Sequence, residues 1–127
     1  MHGNIVYIEF ALIHEKETLD FYSLLFGFRF ENSYLSKQRY IMFKTPDQGI
    51  IGAFDANQKP SLEGALVYLE TEDIQNTLDV MQANFPTCAV LKEKTFISDA
   101  YGSYAVIVDP NGNRIGLQEN SKPSAIQ

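Results

Sequence analysis

Two short stretches carry the groups best suited to acid–base work. Val6-Tyr7-Ile8-Glu9 and Val67-Tyr68-Leu69-Glu70 each place a carboxylate two residues after a tyrosine. Two carboxylates drawn into a partly dry site share a proton, which raises one pKa and leaves one group able to act as a general base. The same glutamates at a solvated rim, or paired with Arg39 or Arg114, do no such work. Together with water, Glu9 and Glu70 would also suit a hard cation such as Mg²⁺. Other reactive candidates are few. His2 sits at the terminus, and His14 falls at the mouth of a helix as a solvent-facing residue. Cys88, the one cysteine, has no basic neighbour before Lys92 and lies in a strand-like run, the setting of a buried, unreactive thiol. No glycine loop has a phosphate-binding pattern.

Binding residues are more plentiful. The chain has nine Phe and seven Tyr and no Trp, and most of these rings must be core. Tyr7, Tyr68, Tyr101, Tyr104, Phe43 and Phe54 are the candidates for an aromatic wall against a flat or apolar ligand. Arg114 shares a strand face with Gly116 and Gln118 and is a candidate to neutralise a carboxylate on that ligand. Inward-facing glutamates would favour a cation or amine instead. The residues leave the sign of the ligand's charge open.

These groups sit on a repeated framework. Besides the two tetrapeptides, Thr18-Leu19-Asp20 reappears as Thr77-Leu78-Asp79. Each copy begins with alternation: Val6, Ile8 and Phe10 oppose Tyr7 and Glu9, and Val67 and Leu69 oppose Tyr68 and Glu70. A helix follows each. In the first copy Glu15 and Glu17 suit its N-terminus, Thr18, Tyr22, Leu25 and Phe26 form its stripe, and Gly27 closes it. In the second, Asp73 caps a stripe of Ile74, Leu78, Met81 and Phe85, and Pro86 ends it. Strand-like runs then return at 28–34, 39–44 and 50–54, and at 87–91, 104–108 and 114–118. Pro46-Asp47-Gln48-Gly49 and Asp109-Pro110-Asn111-Gly112-Asn113 serve as hairpin turns. The pattern predicts one α+β domain over residues 1–120, with modules at about 4–58 and 63–119, and a flexible tail from 121 to 127.

Composition bounds the rest. At 127 residues the chain is long enough for a core without staples. Ten Lys and Arg against 16 Asp and Glu give a net charge of −6, and no basic cluster is present, so no nucleic-acid partner is expected. No apolar run approaches a membrane span, and the first residues lack a signal-peptide pattern. With one cysteine, a cytoplasmic setting is expected.

Phe21-Tyr22 with Leu25-Phe26-Gly27, Glu72-Asp73 before the second helix, and Tyr104–Asn113 ending in Asp-Pro-Asn-Gly-Asn together resemble the glyoxalase, bleomycin-resistance and extradiol-dioxygenase (vicinal oxygen chelate) superfamily. The resemblance implies two βαβββ modules forming an open curled sheet around a cleft, with helices on the outer face. Val6, Ile8 and Phe10 would then pack under the helix, and Tyr7, Glu9, Tyr68 and Glu70 would line the cleft. Many members bind a divalent metal through His, Gln and Glu on the first and last strands of the modules. Carried onto this chain, those positions fall on Tyr7, on Leu66 or Tyr68, on Gly52 or Phe54, and on Gly116. None is a credible ligand, since a neutral phenol binds divalent metals poorly. The expectation is a metal-free protein without cofactor that holds a small organic ligand in an aromatic-lined cleft through Tyr7, Tyr68, Phe43, Phe54, Tyr104 and Arg114. The alternative is an enzyme of the lyase or isomerase type, or one of metal-independent acid–base chemistry, with Glu9 and Glu70 as catalytic groups. A homodimer is implied, its exposed sheet edges giving a physical reason to pair.

Overall fold

The computed structural model describes residues 1–31 and 39–121. The second half of the strand expected over 28–34, and the expected tail from 122 onward, lie outside the described residues. Among those described, the order is β1 (Tyr7–Ala11), α1 (Glu15–Phe26), β2 (Arg29–Phe30), β3 (Tyr40–Lys44), β4 (Ile51–Asp55), β5 (Val67–Glu70), α2 (Ile74–Asn84), β6 (Val90–Ser98), β7 (Gly102–Val108) and β8 (Arg114–Glu119). Each half is βαβββ, as the repeat predicts. Each builds an open mixed sheet of four strands, in the orders β1-β4-β3-β2 and β5-β8-β7-β6. In both, the first strand pairs in parallel with the last and the remaining pairs are antiparallel. The chain divides into two compact units. The first takes in Met1–Leu62 and Pro110–Asn113, and the second the rest of the described residues.

In the first unit α1 begins with Glu15 and Glu17, whose charges complement the positive end of the helix. It closes at Gly27, which takes φ 67°, a conformation that costs a residue with a Cβ about 1 kcal/mol or more. The Gly27 and Phe28 N–H groups then donate to the carbonyls of Ser23 and Tyr22. The core is a cluster of rings. Tyr22 lies 4.8 Å from Phe54 and 5.1 Å from Phe28, and Phe28 stacks on Phe43 at 4.7 Å, centroid to centroid. Register puts Phe10, Phe54 and Ile41 in one row and Ile8, Gly52 and Phe43 in the next, all on the face toward those rings.

Two expectations are corrected here. Phe43 and Phe54 are 2% and 0% exposed, so they are core and offer no surface to a ligand. The other face of their strands, β3 and β4, also carries apolar residues, Met42, Ile51 and Ala53, so the apolar pattern alone does not say which face a helix covers. Val6, expected under the helix, precedes β1 and is 77% exposed, leaving Ile8 and Phe10 to half-bury that face.

In the second unit Asp73 caps α2 by accepting the Asn76 N–H, as its position predicts. Glu119 accepts the Ile74 N–H as well. Ile74, Leu78 and Met81 are buried against Ala105, Ile107, Ile115 and Leu117 of β7 and β8, and each such side chain contributes roughly 2 kcal/mol of burial free energy. β6 runs nine residues, well past the expected 87–91. Its Lys92-Glu93-Lys94 run suits a solvated edge strand, and three register shifts break its alternation. Cys88 is half-buried, and burial followed by the charge of Asp109 pushes its thiol up to about 11. That agrees with an unreactive thiol.

The N-terminus of α1 has an unexpected partner. His14 makes no side-chain cap. Asn111, in the turn assigned to the first unit and 3% exposed, supplies the acceptor instead. Its Oδ1 accepts the N–H groups of Ile13 at 2.7 Å and His14 at 2.9 Å, and its Nδ2 donates to Thr18 Oγ1 at 2.8 Å. Asn113 similarly bridges the N–H and carbonyl of Ala11. Truncating Asn111 leaves at least two donors without a partner, at about 1–3 kcal/mol each. Urea denaturation of Asn111→Ala is therefore expected to show a loss of roughly 3 kcal/mol, with Asn111→Asp, which keeps the acceptor, losing less. A loss below about 1 kcal/mol in the alanine variant would contradict this assignment.

Candidate functional site

Each sheet has one face turned away from its helix, and the candidate residues divide between those two faces. In the first module that face carries Tyr7 and Glu9 of β1, Ile51, Ala53 and Asp55 of β4, and Tyr40, Met42 and Lys44 of β3. A chain of hydrogen bonds crosses it. Tyr40 donates its hydroxyl to Glu9 Oε2 at 2.6 Å, and the Tyr7 and Tyr40 hydroxyl oxygens are 2.7 Å apart. Since the Tyr40 proton goes to the carboxylate, Tyr7 is the donor in its pair. Gln58 Nε2 donates to the other oxygen of Glu9 at 2.8 Å.

Glu9 therefore takes its partners from a phenol and an amide and from neither arginine. Arg39 donates to the Ile13 carbonyl and Arg114 to that of Gly64. Tyr40 and Gln58 escape the sequence reading because they stand 31 and 49 residues from Glu9, and only the sheet register brings them close. The Tyr40 phenol is pushed far above the ordinary tyrosine value, first by burial, then by its bond to Glu9 and by Tyr7.

The second module has a cavity on its open face. Tyr68, Ile97, Tyr101, Tyr104 and Gln118 line a cleft of about 490 Å³. Register places Tyr68, Gly116 and Val106 in one row of the open face and Glu70, Gln118 and Tyr104 in the next. Ile97 comes from the irregular end of β6, where a register shift lets it turn toward the cleft. No sequence period marks it. Gln118 donates its amide to the Tyr101 carbonyl at 3.0 Å. Glu70 accepts from Asn120 at 3.1 Å and stands beside the cleft as Gln118's register partner. Arg114, expected as a ligand contact, is not among the lining residues, and its guanidinium is bound to Gly64. A shared strand face did not reveal the backbone carbonyl that takes one of its N–H groups.

The metal positions implied by the resemblance are settled by the same register. Gly52 and Phe54 face the core of the first module, so β4 presents Ile51, Ala53 and Asp55 to the open face. In the second module Tyr68 pairs with Gly116. A Cβ at Gly116 would stand 2.5 Å from the Tyr68 ring, so the ring fills the space that an acidic ligand there would need. Among the described residues no three His, Cys, Asp or Glu side chains are grouped to hold a metal ion. Tyr7, Tyr68 and Gly116, the implied positions on the open faces, offer two phenols and no side chain, a set that does not fit a divalent cation.

The Tyr40 environment has a pH signature. Above the ordinary pKa of 10 the unfolded chain releases this proton while the folded chain keeps it, so stability falls as pH rises. In a spectrophotometric titration, the difference between the parent protein and Tyr40→Phe is expected to contain no phenolate signal below pH 11. A full tyrosine's ionisation near pH 10 in that difference would refute the assignment.

Comparison with known proteins agrees with this architecture. No curated protein matches the chain. Among solved structures, it resembles a glyoxalase/bleomycin resistance protein/dioxygenase family enzyme from Burkholderia phytofirmans PsJN, with a TM-score of 0.72 and 17% identity over 92% of this chain and 98% of that one. TnmS3, an antibiotic binding protein from Streptomyces sp. CB03234, gives a TM-score of 0.67 at 22% identity, covering 95% and 99% of the two chains. The fosfomycin resistance protein FosX from Listeria monocytogenes gives 0.68 at 14%, covering 95% and 94%. The sequence itself matches the superfamily's pattern over residues 5–117, and with the doubled βαβββ fold this places the chain in the Glyoxalase/Bleomycin resistance protein/Dioxygenase superfamily.

Proposed function

We propose that the protein binds a small organic ligand without metal, in the aromatic cleft on the open face of the second module's sheet. The observation that carries this reading is the cleft itself. About 490 Å³ is bounded by three tyrosines, an isoleucine and a glutamine, aromatic surface with a few polar groups, a composition typical of small-molecule sites. Tyr68 is 48% exposed and Tyr101 67% exposed, and rings of this size left in water gain from covering. An antibiotic binding protein shares this fold, which supports a role in sequestering a ligand. The misfit of the metal positions supports binding over the superfamily's metal-assisted chemistry.

A second reading rests on the first module. Glu9, held by Tyr40 and Gln58 on an open face, is positioned as a general base. Turnover that a chelator leaves unchanged and Glu9→Gln abolishes would establish it, and no turnover over a broad substrate panel would end it.

The binding reading is tested with the neutral fluorescent probe N-phenyl-1-naphthylamine in the presence of EDTA. Saturable one-site binding is expected. Gly116→Ala, which forces the Tyr68 ring aside, is expected to weaken it about tenfold, with a stability cost on the order of 1 kcal/mol. No binding, or binding only after a divalent metal is added, would overturn the proposal.

A further inference from the structure

The charge of the ligand is left open by the sequence, and the groups around the second module's cleft bear on it directly. Tyr68 and Tyr104 have ring centroids 6.5 Å apart and planes inclined at 60°, so they form adjoining walls and not a closed stack. Tyr101 adds a third ring. Each ring carries negative charge density on its face, and several rings meeting at an angle are the arrangement that attracts an ammonium ion.

The polar groups have the same bias. Glu70 brings a carboxylate beside the cleft, on the face it shares with Gln118. One of its oxygens accepts from Asn120, and its charge is not met by a basic side chain among the described residues. Gln118 gives one N–H to the Tyr101 carbonyl, and its carbonyl oxygen, an acceptor that can face a cation, is left for a ligand beside the second N–H. Basic groups are held elsewhere. Arg114 is bound to Gly64, and Lys94 pairs with Glu119 at 3.2 Å. Lys92 is exposed on the edge strand β6, outside the cleft lining. None of the five lining residues is basic.

We infer that the cleft selects an organic cation: an amine or quaternary ammonium group carried on an aromatic or aliphatic body. The ammonium sits among Tyr68, Tyr101 and Tyr104, with Glu70 as its counter-charge, and the body occupies the remaining volume beside Ile97. This deepens the ligand-binding reading and rests on it.

The test uses three probes of one shape: benzyltrimethylammonium, its uncharged carbon isostere neopentylbenzene, and the anion phenylmethanesulfonate. Each is titrated into the EDTA-treated protein and followed by NMR. The cation is expected to bind at least tenfold more tightly than the isostere, and the anion more weakly than either. Glu70→Gln is expected to lower the cation's affinity about fivefold and leave the isostere unchanged. Tyr101→Leu, at an exposed position that folding does not need, is expected to weaken the cation more than the isostere. Equal or tighter binding of the isostere or the anion would overturn the inference. If N-phenyl-1-naphthylamine still binds in that case, the cleft remains a ligand site of different charge preference. Failure of all four compounds would overturn both readings.

Discussion

A four-stranded sheet served by one helix can dry only one of its two faces, and in this chain that limit decides where chemistry is possible. Side chains alternate along every strand, so residues under the helix and residues on the open face come from the same few segments. In the second module Ala105, Ile107, Ile115 and Leu117 go under α2. The residues between them, Tyr104, Val106, Gly116 and Gln118, form the open face with Tyr68 and Glu70. A one-residue slip of register would exchange the two sets. The cleft is thus a consequence of how the core is built, and its tyrosines are exposed because they hold the alternate positions.

The two modules answer this constraint differently. The open face of the first is crossed by hydrogen bonds, with Tyr40 and Gln58 meeting the carboxylate of Glu9 and Tyr7 bonded to the Tyr40 hydroxyl. On the open face of the second, the hydroxyls of Tyr68, Tyr101 and Tyr104 make no hydrogen bond among the described residues, and the cleft is lined by these rings, Ile97 and the Gln118 amide. The repeat placed the same Tyr-x-Glu pair in both. What differs is the neighbours: β4 puts Ile51 opposite Tyr7 and β3 brings Tyr40 to Glu9, while β8 puts Gly116 opposite Tyr68, whose ring lies over it. Sequence duplication conserved the scaffold and left the neighbours to set the chemistry.

Much of the fold was legible because its signals are local. Alternation marked β1 and β5, Asp73 marked the start of α2, and Gly27 marked the end of α1. The site was harder to read for physical reasons that particular residues show. Phe43 and Phe54 lie on strands whose other face also carries apolar residues, Met42, Ile51 and Ala53, so their burial depends on which face α1 covers. β6 is polar and irregular, and it is held as a strand by its pairing with β7 rather than by its own pattern. Asn111 looked like turn chemistry alone, yet its carboxamide serves backbone N–H groups almost a hundred residues earlier. Tyr68, Tyr104 and Glu70 were readable as open-face residues, whereas Ile97 and Tyr40 needed the register.

The central claim is that ligand binding takes place on the second module's tyrosines without metal. Selective labelling of the tyrosine rings tests it most directly, since the six tyrosines among the described residues report both open faces and the core at once. With benzyltrimethylammonium added to EDTA-treated protein, the account predicts shifts in Tyr68, Tyr101 and Tyr104 and unchanged signals from Tyr7, Tyr22 and Tyr40. Shifts confined to Tyr7 and Tyr40, or shifts that appear only after a divalent cation is supplied, would contradict it.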